Sequence, residues 1–388
     1  MKKLVKLLLS CSMMFSLVAC SSGDSSSTSD AIKLGGSGPL TGAAAVYGTA
    51  VMNAAQLAVD EINEKEGKTY FEFKFEDDEA DATKSPNAYG SLKDWGMQVS
   101  IYTTTSGAGA AVAEDYYNDR IFAITPSGSN TSLIYTSTTN YDNLFQVCFT
   151  DPNLGVASAD YMAGNPFGLG SLKVGIIYKS DDDYSTSIYN TFKAECKEKG
   201  VGISYEGSFT DSTSTDFSTQ LQACMDNNCD IVFLPIYYTP AATILTQASS
   251  MNYSPVFFGV DGMDGILSLE GFDTKLAEGV YLLTPFAADA TDDATVSFVN
   301  KYVELYGETP NQFAADAYDA VYAIYQACKA GNVTASMSAS EICDILVKQF
   351  TSMTFEGLTG TATWSTNGEV SKSPKAVVIE NGVYVAAE

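Results

Sequence analysis

IKLGGSGPLTGAAAVYGTAVMNAAQLAVDEI, residues 32–62, holds the reading on which the fold turns. Ile32 to Gly36 form a run of strand length, and the glycine- and hydroxyl-bearing stretch behind it breaks that pattern. From Thr49 to Glu64 the period changes: Val51, Ala55, Ala58 and Ile62 recur at i, i+4, i+7 and i+11 and line one face of a helix. The alternation continues along the chain. Strands are expected at Phe71 to Phe75, Val99 to Thr103, Ile121 to Thr125, Val174 to Tyr178, Ile203 to Phe209, Ile231 to Ile236, Val256 to Val260 and Val280 to Leu283. Helices are expected at Ala108 to Asn118, Ser185 to Lys199, Asp216 to Asn227, Thr295 to Tyr306 and Gln312 to Lys329. Strand-length runs separated by helical segments specify an α/β fold with parallel sheets and helical crossovers. No internal sequence repeat is visible, yet βα blocks opening at Ile32 and at Val174 suggest two similar lobes. Thr361 to Val385 reads as hairpin structure, with turns at Asn367-Gly368 and Asn381-Gly382.

Upstream of this core, Lys2, Lys3 and Lys6 precede an apolar run from Leu7 to Val18. That run is too short for a membrane span and reads as the core of a signal peptide over residues 1–19. Leu17-Val18-Ala19-Cys20 resembles the bacterial lipobox, which implies cleavage before Cys20 and lipidation of that cysteine. Residues 20–31, dominated by serine, form a polar tether with almost nothing to bury. The expected location is extracytoplasmic, on the outer face of the cell membrane.

Some 357 residues remain beyond the tether, more than one hydrophobic core usually organises. Losing residues 1–19 removes three lysines and no acid, leaving 18 cationic against 47 acidic side chains, net −29. Such a surface repels nucleic acid and anionic lipid, so membrane association is left to the anchor. With no histidine in the chain, imidazole metal ligands and histidine-based triads are excluded. No cofactor and no metal are expected. Six cysteines stand beyond Cys20: Cys148, Cys196, Cys224, Cys229, Cys328 and Cys343. They allow fifteen pairings, with Cys224–Cys229 and Cys328–Cys343 close enough in sequence to be candidates.

Six short strings carry a family resemblance. Gly38-Pro39-Leu40-Thr41-Gly42 with Tyr47-Gly48, Ala58-Val59-Asp60-Glu61-Ile62-Asn63, and Ile124-Thr125-Pro126-Ser127-Gly128-Ser129 come first. Asp216 to Leu221, Gly259-Val260-Asp261-Gly262 and Gln312 to Ala320 follow in the same order. Together they resemble the type I periplasmic binding proteins of the branched-chain amino acid group, over essentially the whole mature chain. The resemblance implies two Rossmann-like lobes joined by a three-segment hinge, with crossings near Val147, Thr284 and residues 355–360. The lobes would then be 32–147 plus 285–355, and 148–284 plus 356–388.

Ligands of open α/β sheets bind at the carboxyl ends of the strands. Behind Thr103 stand Thr104-Thr105-Ser106-Gly107 and a helix start, where a capping hydroxyl and free N–H groups make an anion site. Behind Thr125 comes a second hydroxyl-rich turn, Pro126 to Thr131, expected to offer more unpaired N–H groups. The resemblance implies that Ser106, Ser127 and Ser129 hold the α-carboxylate of an amino acid. Arg120, the only arginine, lies roughly 16 Å away along the strand at about 3.3 Å per residue, so this work falls to hydroxyls and dipoles or to one of the lysines, none of which lies in these loops. The resemblance further implies Asp261 as partner of the ammonium group, with Tyr184 and Tyr237 lining one lobe's side of the cleft and Tyr47 and Phe313 the other. A disulfide that ties the first loop in some relatives is absent, its positions being Ala80 and Thr105; packing alone is left to hold it.

The expected function is that of a monomeric solute receptor, not an enzyme, delivering an amino acid with a branched-chain, other apolar or small side chain to an ABC permease. A ligand-sensing lipoprotein of the same fold, or a binder of an amide, a carboxylic acid or a sugar, are the alternatives. Sugar sites favour arginine and tryptophan, and Trp95 and Trp364 lie outside the cleft loops. A hydrolase lacks both a histidine base and a G-x-S-x-G elbow.

Overall fold

The computed structural model describes residues 30–170, 172–372 and 374–387. The expected signal peptide, Cys20 and the expected tether up to residue 29 lie outside the described residues. The first unit runs β1 (Ile32–Gly38), α1 (Ala45–Glu66), β2 (Phe71–Asp77), α2 (Ser85–Trp95), β3 (Val99–Thr103), α3 (Ser106–Asn118), β4 (Phe122–Thr125) and β5 (Leu144–Gln146). These strands form one sheet in the order β2-β1-β3-β4-β5, parallel throughout. The second unit runs α4 (Asp151–Ala163), β6 (Lys173–Lys179), α5 (Asp183–Lys199), β7 (Gly202–Phe209), α6 (Ser218–Asp226), β8 (Ile231–Leu234), α7 (Tyr238–Ser250), β9 (Val256–Gly259) and β10 (Tyr281–Thr284). The chain then supplies α8 (Asp293–Tyr306), α9 (Gln312–Ala330), α10 (Ala339–Phe350), a small pair β11 (Phe355–Gly357) and β12 (Gly360–Ala362), and the hairpin β13 (Lys375–Glu380) and β14 (Val383–Ala386). The second sheet has the order β14-β13-β10-β9-β8-β6-β7, with β13 and β14 antiparallel at one edge.

Strand periodicity decides which helices cover which face. In β3, Ile101 packs into the core with α1 and α9, whereas Tyr102 turns to the opposite face among residues of α2 and α3. In β8, Ile231 and Phe233 face α4 and α5, and Val232 and Leu234 face α6 and α7. Both sheets are thus buried on two sides, which is why their strands are apolar runs rather than alternating ones. The carboxyl ends of the two sheets meet across a cleft, giving the two-lobed architecture expected.

Four helices were not expected from the sequence: α2, α4, α7 and α10. The crossing expected near residues 355–360 also needs revision. Asp319 of α9 accepts hydrogen bonds from Leu358 N and Thr359 N at 2.8 and 2.9 Å, and Trp364 donates from Nε1 to Gln146 O at 2.8 Å. The chain therefore stays on the first lobe through the Trp364–Val370 bridge, whose turn at Asn367-Gly368 seats Gly368 O on Gln146 N, and joins the second sheet only at Lys375. On this route the side chain of Lys372 is buried and pairs with Asp316 at 3.2 Å, also contacting Thr359 Oγ1.

Candidate functional site

The eight residues singled out from the sequence, Tyr47, Ser106, Ser127, Ser129, Tyr184, Tyr237, Asp261 and Phe313, all line one small cavity between the lobes, together with Thr104, Thr105 and Gly262. The cavity measures about 10 Å³, room for about one water. The lobes are closed over it.

On one wall stands the loop behind β3. Its helix cap is Thr105 rather than Ser106, which is the first residue of α3. No side chain caps this helix: Thr105 Oγ1 is buried without a partner, so the positive end of the helix dipole faces the cavity uncovered. Ser106 Oγ accepts from Asn130 N at 3.2 Å and keeps its own proton to donate. The turn behind β4 differs from expectation. Fewer of its N–H groups are free, because Thr125 Oγ1 accepts from Ser127 N at 3.3 Å and from Gly128 N at 2.8 Å, and Ser106 Oγ takes Asn130 N. The turn also offers hydroxyls, and Ser129 Oγ is buried and unpartnered.

The first loop is held by more than packing, contrary to expectation. Thr104 Oγ1 donates to Ser37 O at 3.1 Å, Ser37 Oγ donates to the buried Asp78 Oδ2 at 2.8 Å, and Asp78 Oδ1 accepts from Ala80 N at 3.0 Å. A ladder of polar bonds therefore ties the ends of β1 and β2 to the loop. Arg120 is indeed remote, bound to Asp142 and Asp344 at 2.6 and 2.9 Å.

The opposite wall carries the charge. Asp261 is 3% exposed, and Tyr184 donates to its Oδ1 at 2.6 Å, as does Gly262 N at 2.8 Å. Both bonds fall on the same oxygen, which leaves Oδ2 with its lone pairs. Burial raises this carboxyl to a pKa of about 7, against the opposing effect of the two hydrogen bonds. The aromatic residues close the space between the walls. Tyr47 meets Phe313 at 4.7 Å and Tyr237 at 5.2 Å between ring centres, and Tyr237 meets Tyr184 at 5.0 Å. Tyr47, from the first lobe, also donates its hydroxyl to Gly262 O and accepts from Tyr238 N at 3.3 Å in the second. Thr239 Oγ1 to Ala43 O, at 2.7 Å, adds a third bond across the cleft.

Sequence reasoning missed Asp151, fully buried at the start of α4 behind Ser129. Its N–H donates to Ser129 O at 2.9 Å, its Oδ2 accepts from Asn130 Nδ2 at 2.8 Å, and its Oδ1 has no partner. Burial, then the nearby Asp261, push its carboxyl well above the ordinary range. Thr150-Asp151-Pro152, a cap followed by an acid and a proline, was the signal that could have found it. Among the described residues no group of three or more acidic, cysteine or histidine side chains is placed to hold a metal, and no helix is long and apolar enough to cross a membrane.

Two facing α/β lobes closed on a cavity with a carboxylate on one wall and hydroxyls at a bare helix start on the other define a two-lobed receptor for a small solute. A sequence model described as periplasmic binding protein matches residues 31–381, and the chain belongs to that family. The Leu/Ile/Val-binding protein homolog 3 of Brucella melitensis is 22% identical over 342 residues, 88% of this chain and 89% of the relative. The Leu/Ile/Val-binding protein BraC3 of Rhizobium johnstonii is 24% identical over 294 residues, 75% of this chain and 77% of its own. Among solved structures, the substrate-binding protein LivJ of Streptococcus pneumoniae, in complex with isoleucine, superposes with a TM-score of 0.81 at 27% identity, over 92% of this chain and 99% of that one. A solute-binding protein from R. palustris in complex with benzoate gives 0.80 at 19% identity, over 92% and 95%.

Proposed function

We propose that this chain is a lipoprotein receptor, anchored through Cys20, that encloses an amino acid between its lobes and delivers it to an ABC permease. The observation that carries the reading is the pairing of Asp261, with a free oxygen, against the uncapped start of α3 and the hydroxyls of Ser106, Ser127 and Ser129. A zwitterion satisfies both walls at once: its ammonium takes the carboxylate oxygen, and its carboxylate takes hydroxyl and helix N–H donors. The rings of Tyr47, Tyr184, Tyr237 and Phe313 leave a branched-chain or small apolar side chain as the remaining portion that fits an apolar lining. An acid without an ammonium group, such as benzoate, would leave Asp261 buried and unpaired, which is costly.

The test is a thermal-shift screen of the chain against amino acids, aromatic and aliphatic acids, amides and sugars, followed by calorimetry. A ligand at roughly a hundred times its Kd adds about 2.7 kcal/mol of stability, enough to read. Stabilisation by leucine, isoleucine, valine or a small amino acid is the expected result. Stabilisation by benzoate or a sugar and by no amino acid overturns the reading.

A further inference from the structure

The last turn of α6 ends in a Schellman arrangement. Cys229 N donates to Cys224 O and Asn228 N to Met225 O, both at 2.9 Å, with Asn228 in the left-handed region at φ +53°. This motif brings the side chains at its first and last positions into contact, and here both are cysteines. On the neighbouring strand β6 stands Gly175, where a Cβ would lie 2.8 Å from Cys224 Sγ and 3.0 Å from Cys229 Sγ. The two sulfurs therefore share the space that a missing side chain leaves. Both are free thiols, fully buried at Cys224 and 5% exposed at Cys229. A hydrogen bond from Cys224 to Cys229 pushes the Cys229 thiol down and the Cys224 thiol up, so Cys229 is the nucleophilic member.

We propose that Cys224 and Cys229 are a dithiol site, closed to an intramolecular disulfide by exchange with a small-molecule disulfide. The Cys229 thiolate attacks one sulfur of the oxidant, breaking its S–S bond and releasing one thiolate. Cys224 then gives up its proton and attacks Cys229 sulfur, breaking the mixed disulfide and releasing the second thiolate. Two protein thiols are oxidised, the oxidant's disulfide is reduced to two thiols, and those thiols take up the two protons. The backbone bond from Cys229 N to Cys224 O and the space over Gly175 that both sulfurs reach hold the two side chains side by side for this step. The bond would fasten the end of α6 to the entry of β8, the strand that leads to Tyr237 in the cleft, and it would do so whatever solute the cleft takes.

The test incubates the reduced full chain with glutathione disulfide, quenches with acid, alkylates in denaturant and maps peptides by mass spectrometry. The expected result is loss of two hydrogens from the peptide holding residues 224 and 229, with Cys148, Cys196, Cys328 and Cys343 still alkylated. Cys224→Ser should stop at a glutathione adduct on Cys229, and Cys229→Ser should lose the reaction. A parallel sample refolded from denaturant in the same redox buffer removes access as a variable. Both thiols alkylated in the native and the refolded samples, or either one joined to a different cysteine, overturns the proposal.

Discussion

Asp261→Asn keeps the shape of the side chain and removes its charge, which makes it the sharpest probe of the cleft. At pH 8 the parent carboxyl, with a pKa of about 7, is mostly ionised. Its hydrogen bond to a ligand ammonium is worth about 1.5–3 kcal/mol, or about 10- to 150-fold in Kd. The variant should therefore bind leucine or isoleucine more weakly by that factor at pH 8. Below pH 7 a proton competes with the ammonium for the same carboxylate, and each further unit should weaken the parent by at most about ten-fold. Between pH 8 and pH 5 the parent should lose about 10- to 60-fold, a loss that cannot exceed what the bond to the charged form is worth, while the variant, having nothing to protonate, stays nearly flat. The two curves then converge at acidic pH. Titration calorimetry at pH 5, 6, 7 and 8 reads this directly, with 4-methylpentanoate as a control ligand that has no ammonium and that the variant, relieved of an unpaired buried charge, should bind at least as tightly as the parent at pH 8. A parent whose amino acid affinity is level across that range, or a variant that keeps the parent's slope, refutes the role given to Asp261.

Three further outcomes are expected. Lys372→Met leaves Asp316 and Asp319 buried without their cation, and should cost about 3–5 kcal/mol at pH 8 by calorimetric melting. Burial raises Asp316 to a pKa of about 7, so its protonation at pH 5 should recover part of that loss; equal loss at both pH values contradicts the assignment. Cys20→Ala should move the protein from the membrane fraction to the soluble one, and persistence on the membrane after a high-salt wash removes the lipobox reading. Tyr47→Phe deletes the hydroxyl that spans the cleft, so small-angle scattering without ligand should give a larger radius of gyration than the parent; an unchanged radius means that other contacts hold the lobes.

The legible part of this molecule was the part in which one physical signal dominates. Fully buried parallel strands such as Val99–Thr103 and Ile231–Leu234 announce themselves as apolar runs, and α1 and α9 show a helical period because each buries a long face. The unexpected helices send weaker signals. In α2, begun at Ser85-Pro86, only four of eleven residues are buried, and α4 starts under a Thr-Asp-Pro sequence that also suits a turn. Helix α7 follows the run ending at Ile236-Tyr237 too closely for the change of period to show. At the site, the residue types were readable but not the traffic of their hydrogen bonds. Thr125 takes the N–H groups of Ser127 and Gly128 two and three residues on, a local hydroxyl turn of the kind threonine makes, whereas nothing local says that Asp151 stands behind Ser129, since that contact joins the turn behind β4 to the start of α4.

The hydroxyl of Tyr47 joins Gly262 and Tyr238 directly across the cleft. Its consequence is one of rates. Solute can enter only while the cleft is open, so the observed association rate is the intrinsic rate multiplied by the open fraction. Each cross-cleft bond worth about 0.5–1.5 kcal/mol shrinks that fraction about two- to twelve-fold. Residues that never touch the solute, such as Thr239 and Ala43, can thus set how fast it is captured.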